Sequence, residues 1–159
     1  MNRTPPRCLI LACGNTLRSD DGIGPWLADW AAQHFSSQPE IHVLSRQQWT
    51  PDLTEDIAQA ESVLFIDCSV ESAPGSIHIH EVRPASGAEG LATHHQDAPQ
   101  LLALTRQLYN SLPRQAMLLT VGAGSTELGE EFSASVTAAL PAVRELLEET
   151  VLRLLATPI

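Results

Sequence analysis

The sequence predicts an α/β fold: a single-domain three-layer sandwich, with a twisted, mostly parallel five-stranded sheet covered by helices on both faces. Three observations carry that expectation. The segments CLILAC, SVLFI and AMLLTV are near-continuous apolar runs, which read as strands buried on both faces, as in a parallel sheet. Between them lie segments whose apolar residues recur at helical spacing. The resulting order is strand, helix, strand, helix, strand, strand, helix, strand, helix, and alternation of this kind favours parallel strands joined by helical crossovers. One edge strand can then be antiparallel. Right-handed crossovers put the carboxyl ends of the parallel strands on one side, where such folds bind ligands.

The first strand is Cys8 to Cys13, ended by Gly14-Asn15. Ser19, Asp20 and Asp21 offer caps for the helix that follows, with Pro25 in its first turn and Ile23, Leu27, Trp30, Ala31 and His34 at helical spacing. Ile41 to Leu44 is a short second strand. Pro51 to Ala60 reads as a helix with Thr50 as N-cap and Leu53, Ile57 and Ala60 inward. Ser62 to Ile66 is the next buried strand, closed by Asp67. Ile77, Ile79 and Val82 mark a further strand after a Pro74-Gly75 turn, and residues 84–96 read as a loop. Pro99 to Leu112 is an amphipathic helix with Leu101, Leu102, Leu104 and Leu108 inward. Ala116 to Val121 is the last strand, ended by Gly122-Ala123-Gly124. Ser133 to Ala156 carries Val136, Leu140, Val143, Leu147, Val151 and Leu154 on one stripe, and Pro141 is expected to kink that helix or to begin a new one.

The 159 residues suit one domain spanning 1–159, and an apolar fraction of 43% is enough for a packed core. A formal net charge of −10 argues against nucleic acid and anionic membrane as partners, since both are polyanions. No apolar run approaches the ~20 residues that span a bilayer. The apolar run at the start is too short for a signal segment and ends in Gly-Asn. The cysteines are Cys8, Cys13 and Cys68, an odd number with no C-x-x-C pair, which points to a reducing cytoplasm rather than a disulfide frame or a zinc knuckle.

Two acidic positions follow the carboxyl ends of buried strands: Asp20-Asp21 in the segment after the first, and Asp67 at the end of SVLFI. If those strands are neighbours, the acids converge on one crevice, where a metal or a hydrogen-bond donor must offset their burial. Asp20 and Asp21 are equally readable as helix caps, but capping needs only one of them. Asp67 taken alone reads as a strand-end turn residue. Among the histidines, His34 lies on a helix face. His78 and His80 share one face of an edge strand and read as solvent-exposed. His94-His95 stand in a loop just before a helix, where site residues gather. There is no dinucleotide fingerprint, no nucleophile elbow and no H-E-x-x-H helix. Cys68 reads as a buried structural thiol more readily than as a nucleophile.

The segment C-G-N-T-L-R-S-D-D-G-I-G resembles the G-x-G-N-x-L-x-x-D-[DE]-G-x-G opening of the nickel–iron hydrogenase maturation endopeptidases, with Ala12 where that family usually has its first glycine. LFIDCSVE, ending its strand in Asp67, and T-H-H-Q before a leucine-rich helix are similar to two further segments of the family, and the likeness runs over essentially the whole chain. Carried over position by position, the resemblance implies a metal-binding and catalytic trio of Asp21, Asp67 and His94. Gln96 replaces the family's usual aliphatic residue, which keeps His95 as the alternative ligand. The resemblance also implies a cytoplasmic, aspartyl-type protease that removes a C-terminal extension from a nickel–iron hydrogenase large-subunit precursor after nickel loading. No resident cofactor is implied. The nickel arrives with the substrate, and another divalent ion can occupy the site in its absence. Two oxygens and an imidazole form a plausible ligand set for nickel or zinc. A non-catalytic nickel-sensing chaperone and a stand-alone metallopeptidase are the alternatives compatible with the same acids.

Overall fold

A computed structural model of the chain describes residues 5–86 and 97–156. Its strands are β1 (Cys8–Cys13), β2 (Ile41–Arg46), β3 (Ser62–Ser69), β4 (Ile77–Glu81) and β5 (Gln115–Gly122). Its helices are α1 (Ile23–His34), α2 (Thr54–Gln59), α3 (Ala98–Tyr109) and α4 (Ala134–Ala156). They form one five-stranded sheet in the order β2-β1-β3-β5-β4. The β1–β2, β1–β3 and β3–β5 pairs are parallel, and β4 runs antiparallel to β5 along the edge. The expected α/β sandwich, with its antiparallel edge strand, is thus borne out.

Alternation along β1 sorts the core into two layers. Cys8, Ile10 and Ala12 face the side on which Leu27 and Ala31 of α1 and Val143, Leu147 and Val151 of α4 are buried. Leu9, Leu11 and Cys13 face the other side, with Ile57 of α2 and Leu101 and Leu102 of α3. Every residue of β1 is buried, as its unbroken apolar run predicts. The structure thereby covers the sheet on both faces. No helix among the described residues is long and apolar enough to cross a membrane.

Several local expectations are corrected. β3 does not stop before Asp67: Asp67, Cys68 and Ser69 pair with Thr120, Val121 and Gly122, because β5 runs on beside them and supplies ladder partners. Thr50 stands at the expected N-cap position but makes no side-chain cap bond there. Its hydroxyl donates to the Asp52 carboxylate, and residues 51–53 form a tight 3-10 turn ahead of α2. Leu108 is 58% exposed rather than inward, while Thr105 is buried and returns its hydroxyl to the Leu101 carbonyl at 2.7 Å. Pro141 does not begin a new helix: α4 extends from Ala134 to Ala156 with Pro141 inside it. Pro141 and Thr137 both lie on the exposed side of α4, where water can take the carbonyl that the missing N–H would have bonded. His78 and His80 are exposed on the edge strand, as expected. His34 is half-exposed, stacks on Trp30 and pairs with Glu148 across to α4.

Candidate active site

The site is assembled where β1 and β3 end side by side. Ala12 pairs with Ile66, which brings Cys13 level with Asp67 across the parallel ladder. Asp67 also lies an even number of residues beyond Val63 and Phe65, so it points to the α2/α3 side on which Cys13 is buried. The Asp67 carboxylate takes the Cys68 amide at 2.7 Å and accepts a hydrogen bond from the Cys13 thiol.

Beyond Cys13 the chain makes a close turn that only glycine permits. Gly14 has φ +152°, and a Cβ there would stand 2.0 Å from the Asp21 carbonyl oxygen. Gly24 is equally constrained, since its Cβ would stand 2.2 Å from the Cys13 carbonyl oxygen. These two approaches press the start of α1 against the end of β1. A 3-10 turn over Ser19–Gly22 then carries Asp20 and Asp21 into α1. Asp21 is half-buried, and one carboxylate oxygen accepts the Asn15 amide at 2.7 Å. The Asn15 side chain in turn accepts the Leu17 amide at 2.9 Å, which stiffens the loop.

The two acids of the Asp20-Asp21 pair have different jobs. Neither caps α1, which has no side-chain cap at its N-terminus. Asp20 is completely buried and accepts the amides of Gly124, Ser125 and Ser133 and the Ser133 hydroxyl, at 2.7 to 3.0 Å. Burial pushes its carboxyl up, but these donors from Ser133, Ser125 and Gly124 outweigh burial and hold it below the usual carboxylate range. Asp20 therefore pins the β5–α4 loop to the β1–α1 loop. Asp21, beside it, takes no part in that anchor and accepts only the Asn15 amide among the bonds above.

Asp21 and Asp67 act on the same two thiols. The Cys13 thiol is pushed well above the usual range, first by burial, then by the charge and hydrogen bond of Asp67 and by the charge of Asp21. Cys68 is pushed up to about 12 by burial and by Asp21, Asp67 and Asp20. Both carboxylates thus lie near enough to Cys13 and Cys68, at the carboxyl ends of β1 and β3, to act on their thiols. Cys68 is half-buried rather than fully buried, and a thiol held protonated is a poor nucleophile.

Among the described residues, no group of three or more His, Cys, Asp and Glu side chains is placed to hold a metal ion. His94 and His95 lie outside the described residues. The Asp97 side chain accepts the Gln100 amide at 2.8 Å, while the Gln100 side-chain oxygen accepts the Asp97 amide at 3.0 Å. This capping box fixes the start of α3. α3 ends shortly before β5 begins, so it runs back along the sheet and its start points toward the carboxyl edge. Asp20 as a loop anchor was the role that sequence reasoning missed. Its partners lie more than a hundred residues away, and the only sequence signal was that one acid of the pair was surplus to capping.

Neither a protein-family model nor a curated protein matches the sequence. Solved structures do match over nearly the whole chain. Hydrogenase maturating endopeptidase HybD from E. coli is 18% identical, with a TM-score of 0.71 over 92% of this chain and 93% of that one. The [NiFe] hydrogenase maturation protease HybD from Thermococcus kodakarensis is 25% identical, with a TM-score of 0.65 over 91% and 98%. A hydrogenase 2 maturation peptidase from a Thaumarchaeota archaeon is also 25% identical, with a TM-score of 0.64 over 91% and 97%.

Proposed function

We propose, from the premise that this chain shares the fold of the hydrogenase maturation endopeptidases, that it is a peptidase of that kind. Its substrate in this reading is a nickel–iron hydrogenase large-subunit precursor in the cytoplasm, and its product is the precursor without its C-terminal extension. The observation that carries the reading is the convergence of Asp21 and Asp67 at the neighbouring carboxyl ends of β1 and β3. Both are oriented by hydrogen bonds, Asp21 from the Asn15 amide and Asp67 from the Cys68 amide and the Cys13 thiol, and carboxylate oxygens so held are suited to a cationic partner.

In this reading that partner is the nickel borne by the precursor. Asp21 and Asp67 would supply two oxygens, one from each side of the β1–β3 junction. His94 would supply an imidazole from the segment before α3, with His95 as the alternative. His94 stands three positions before Asp97, a reach of at most about 10 Å. α3 packs on the face to which Asp67 points. Docking on the metal would hold the scissile bond at a fixed place relative to the carboxylates, and would make cleavage conditional on nickel loading. Cys13 contributes by donating to Asp67, which fixes that carboxylate's orientation.

The test is incubation with nickel-loaded and nickel-free precursor, read by mass spectrometry. Loss of the extension from the loaded form alone is expected. Equal cleavage of both forms would favour a stand-alone peptidase. A complex without any change in precursor mass would favour a nickel-sensing chaperone.

A further inference from the structure

Three of the large aliphatic side chains exposed among the described residues stand on the loops that leave the carboxyl edge of the sheet: Leu17, 55% exposed, Val70, 74%, and Leu128, 81%. Leu17 lies on the loop from β1 to Asp21, Val70 follows β3 just beyond Asp67, and Leu128 lies between β5 and α4. Leu17 and Leu128 are tied together. The Gly129 amide donates to the Leu17 carbonyl at 2.9 Å, the Ser19 amide to the Gly129 carbonyl at 2.8 Å, and the Ser19 hydroxyl to the Glu127 carbonyl at 2.8 Å. Val70 borders a cavity of about 190 Å³ shared with Ala123, Gly124, Ser125 and Thr126. The Ala123 amide, donating to the Ser69 carbonyl at 2.8 Å, holds that wall in place.

We propose that Leu17, Val70 and Leu128 form an apolar docking rim around the acid pair, and that its occupant is the protein substrate itself. The proposal rests on the peptidase reading above and adds to it the surface that grips the substrate. Exposed aliphatic side chains held on bonded loops are poised for contact at little entropic cost. Charge states the partner's chemistry further. Glu71, Glu127, Glu130 and Glu131 are exposed on the same loops, beside Arg18. The matching surface is therefore aliphatic and flanked by Lys or Arg, and complementary charge of this kind steers association.

The experiment compares the native chain with a Leu17→Ser, Val70→Ser, Leu128→Ser variant on nickel-loaded precursor. These side chains lie outside the core, so the melting temperature should hold. KM is expected to rise about tenfold or more, equivalent to about 1.4 kcal/mol per tenfold, with kcat nearly unchanged. KM should also rise with added salt. Leu108→Ser and Leu152→Ser, on α3 and α4, should leave both constants alone. An unchanged KM in the triple variant, with the native enzyme active, overturns the rim, and a KM indifferent to salt overturns the charge match. If the native chain cuts no precursor, the peptidase reading has failed. The rim is then decided by co-elution of chain and loaded precursor on size exclusion. Loss of that complex in the variant supports it. Equal binding by both chains, or no complex with either, overturns it.

Discussion

Asp20 and Ser133 meet twice: the buried carboxylate accepts both the Ser133 amide and the Ser133 hydroxyl at 2.7 Å, joining the loop before α1 to the start of α4. The same carboxylate takes the Gly124 and Ser125 amides, so one anion closes the loops that frame Asp21. A charged group is suited to this because hydrogen bonds to an ionised acceptor are stronger than neutral ones.

Removing that anion should be felt as stability. Asp20→Ala strands buried donors and is expected to cost about 3 kcal/mol or more. The carboxyl is held below its unfolded value, so its contribution is full above the unfolded carboxylate range and is lost as pH falls through the folded value. Urea unfolding should show a large gap between native chain and variant at neutral pH and a smaller one in acid. A gap independent of pH would mean that the charge on Asp20 is not what matters.

Asp67→Asn and His94→Ala should each abolish precursor processing while leaving the fold intact, since Asp67 lies at a half-buried strand end outside the packed core. His95→Ala is the control. Processing at the native rate by both variants would remove the trio from the chemistry, and a reversal of the two histidine effects would move the ligand by one residue.

Cys68 should be chemically quiet. With its thiol pushed up to about 12, almost none is thiolate near neutral pH, so alkylation by iodoacetamide should be far slower than that of a free cysteine. Cys68→Ala should retain processing. Complete loss of activity in that variant, with the fold preserved, would instead identify a cysteine nucleophile.

The resting chain should fold without metal. Both core layers are built from apolar side chains independent of Asp21 and Asp67, so no metal is needed to supply folding free energy. Thermal unfolding with and without a chelator, alongside metal analysis, is the check. Collapse of the folded state on chelation would mark a structural metal site.

Packing itself offers a last comparison. Leu101 is fully buried beneath α3, and Leu101→Ala should cost about 2–5 kcal/mol. Leu108→Ala, on the exposed side of the same helix, should change stability by about 0.5 kcal/mol or less. Equal costs at the two positions, read by urea unfolding, would contradict the observed orientation of α3.

The sheet was legible in the sequence because burial on both faces leaves a direct record. β1 and the Val63–Ile66 stretch of β3 hold only apolar residues, and the helices between the strands keep one apolar stripe. The opening motif was legible only through its resemblance to a family; the structure gives its glycines a reason, since Gly14 and Gly24 approach backbone oxygens seven and eleven residues away. Tertiary structure alone decided which strands are neighbours, and therefore that Asp67 stands level with Cys13, on whose thiol Asp21 also acts. It alone separated Asp20, locked by Gly124, Ser125 and Ser133, from Asp21. It also carried β3 through Asp67, turned Leu108 outward and let α4 run through Pro141. Local pattern records what a residue needs from its nearest neighbours and from its degree of burial. Partners distant in the chain leave no periodicity behind, so their identity emerges only when the sheet closes.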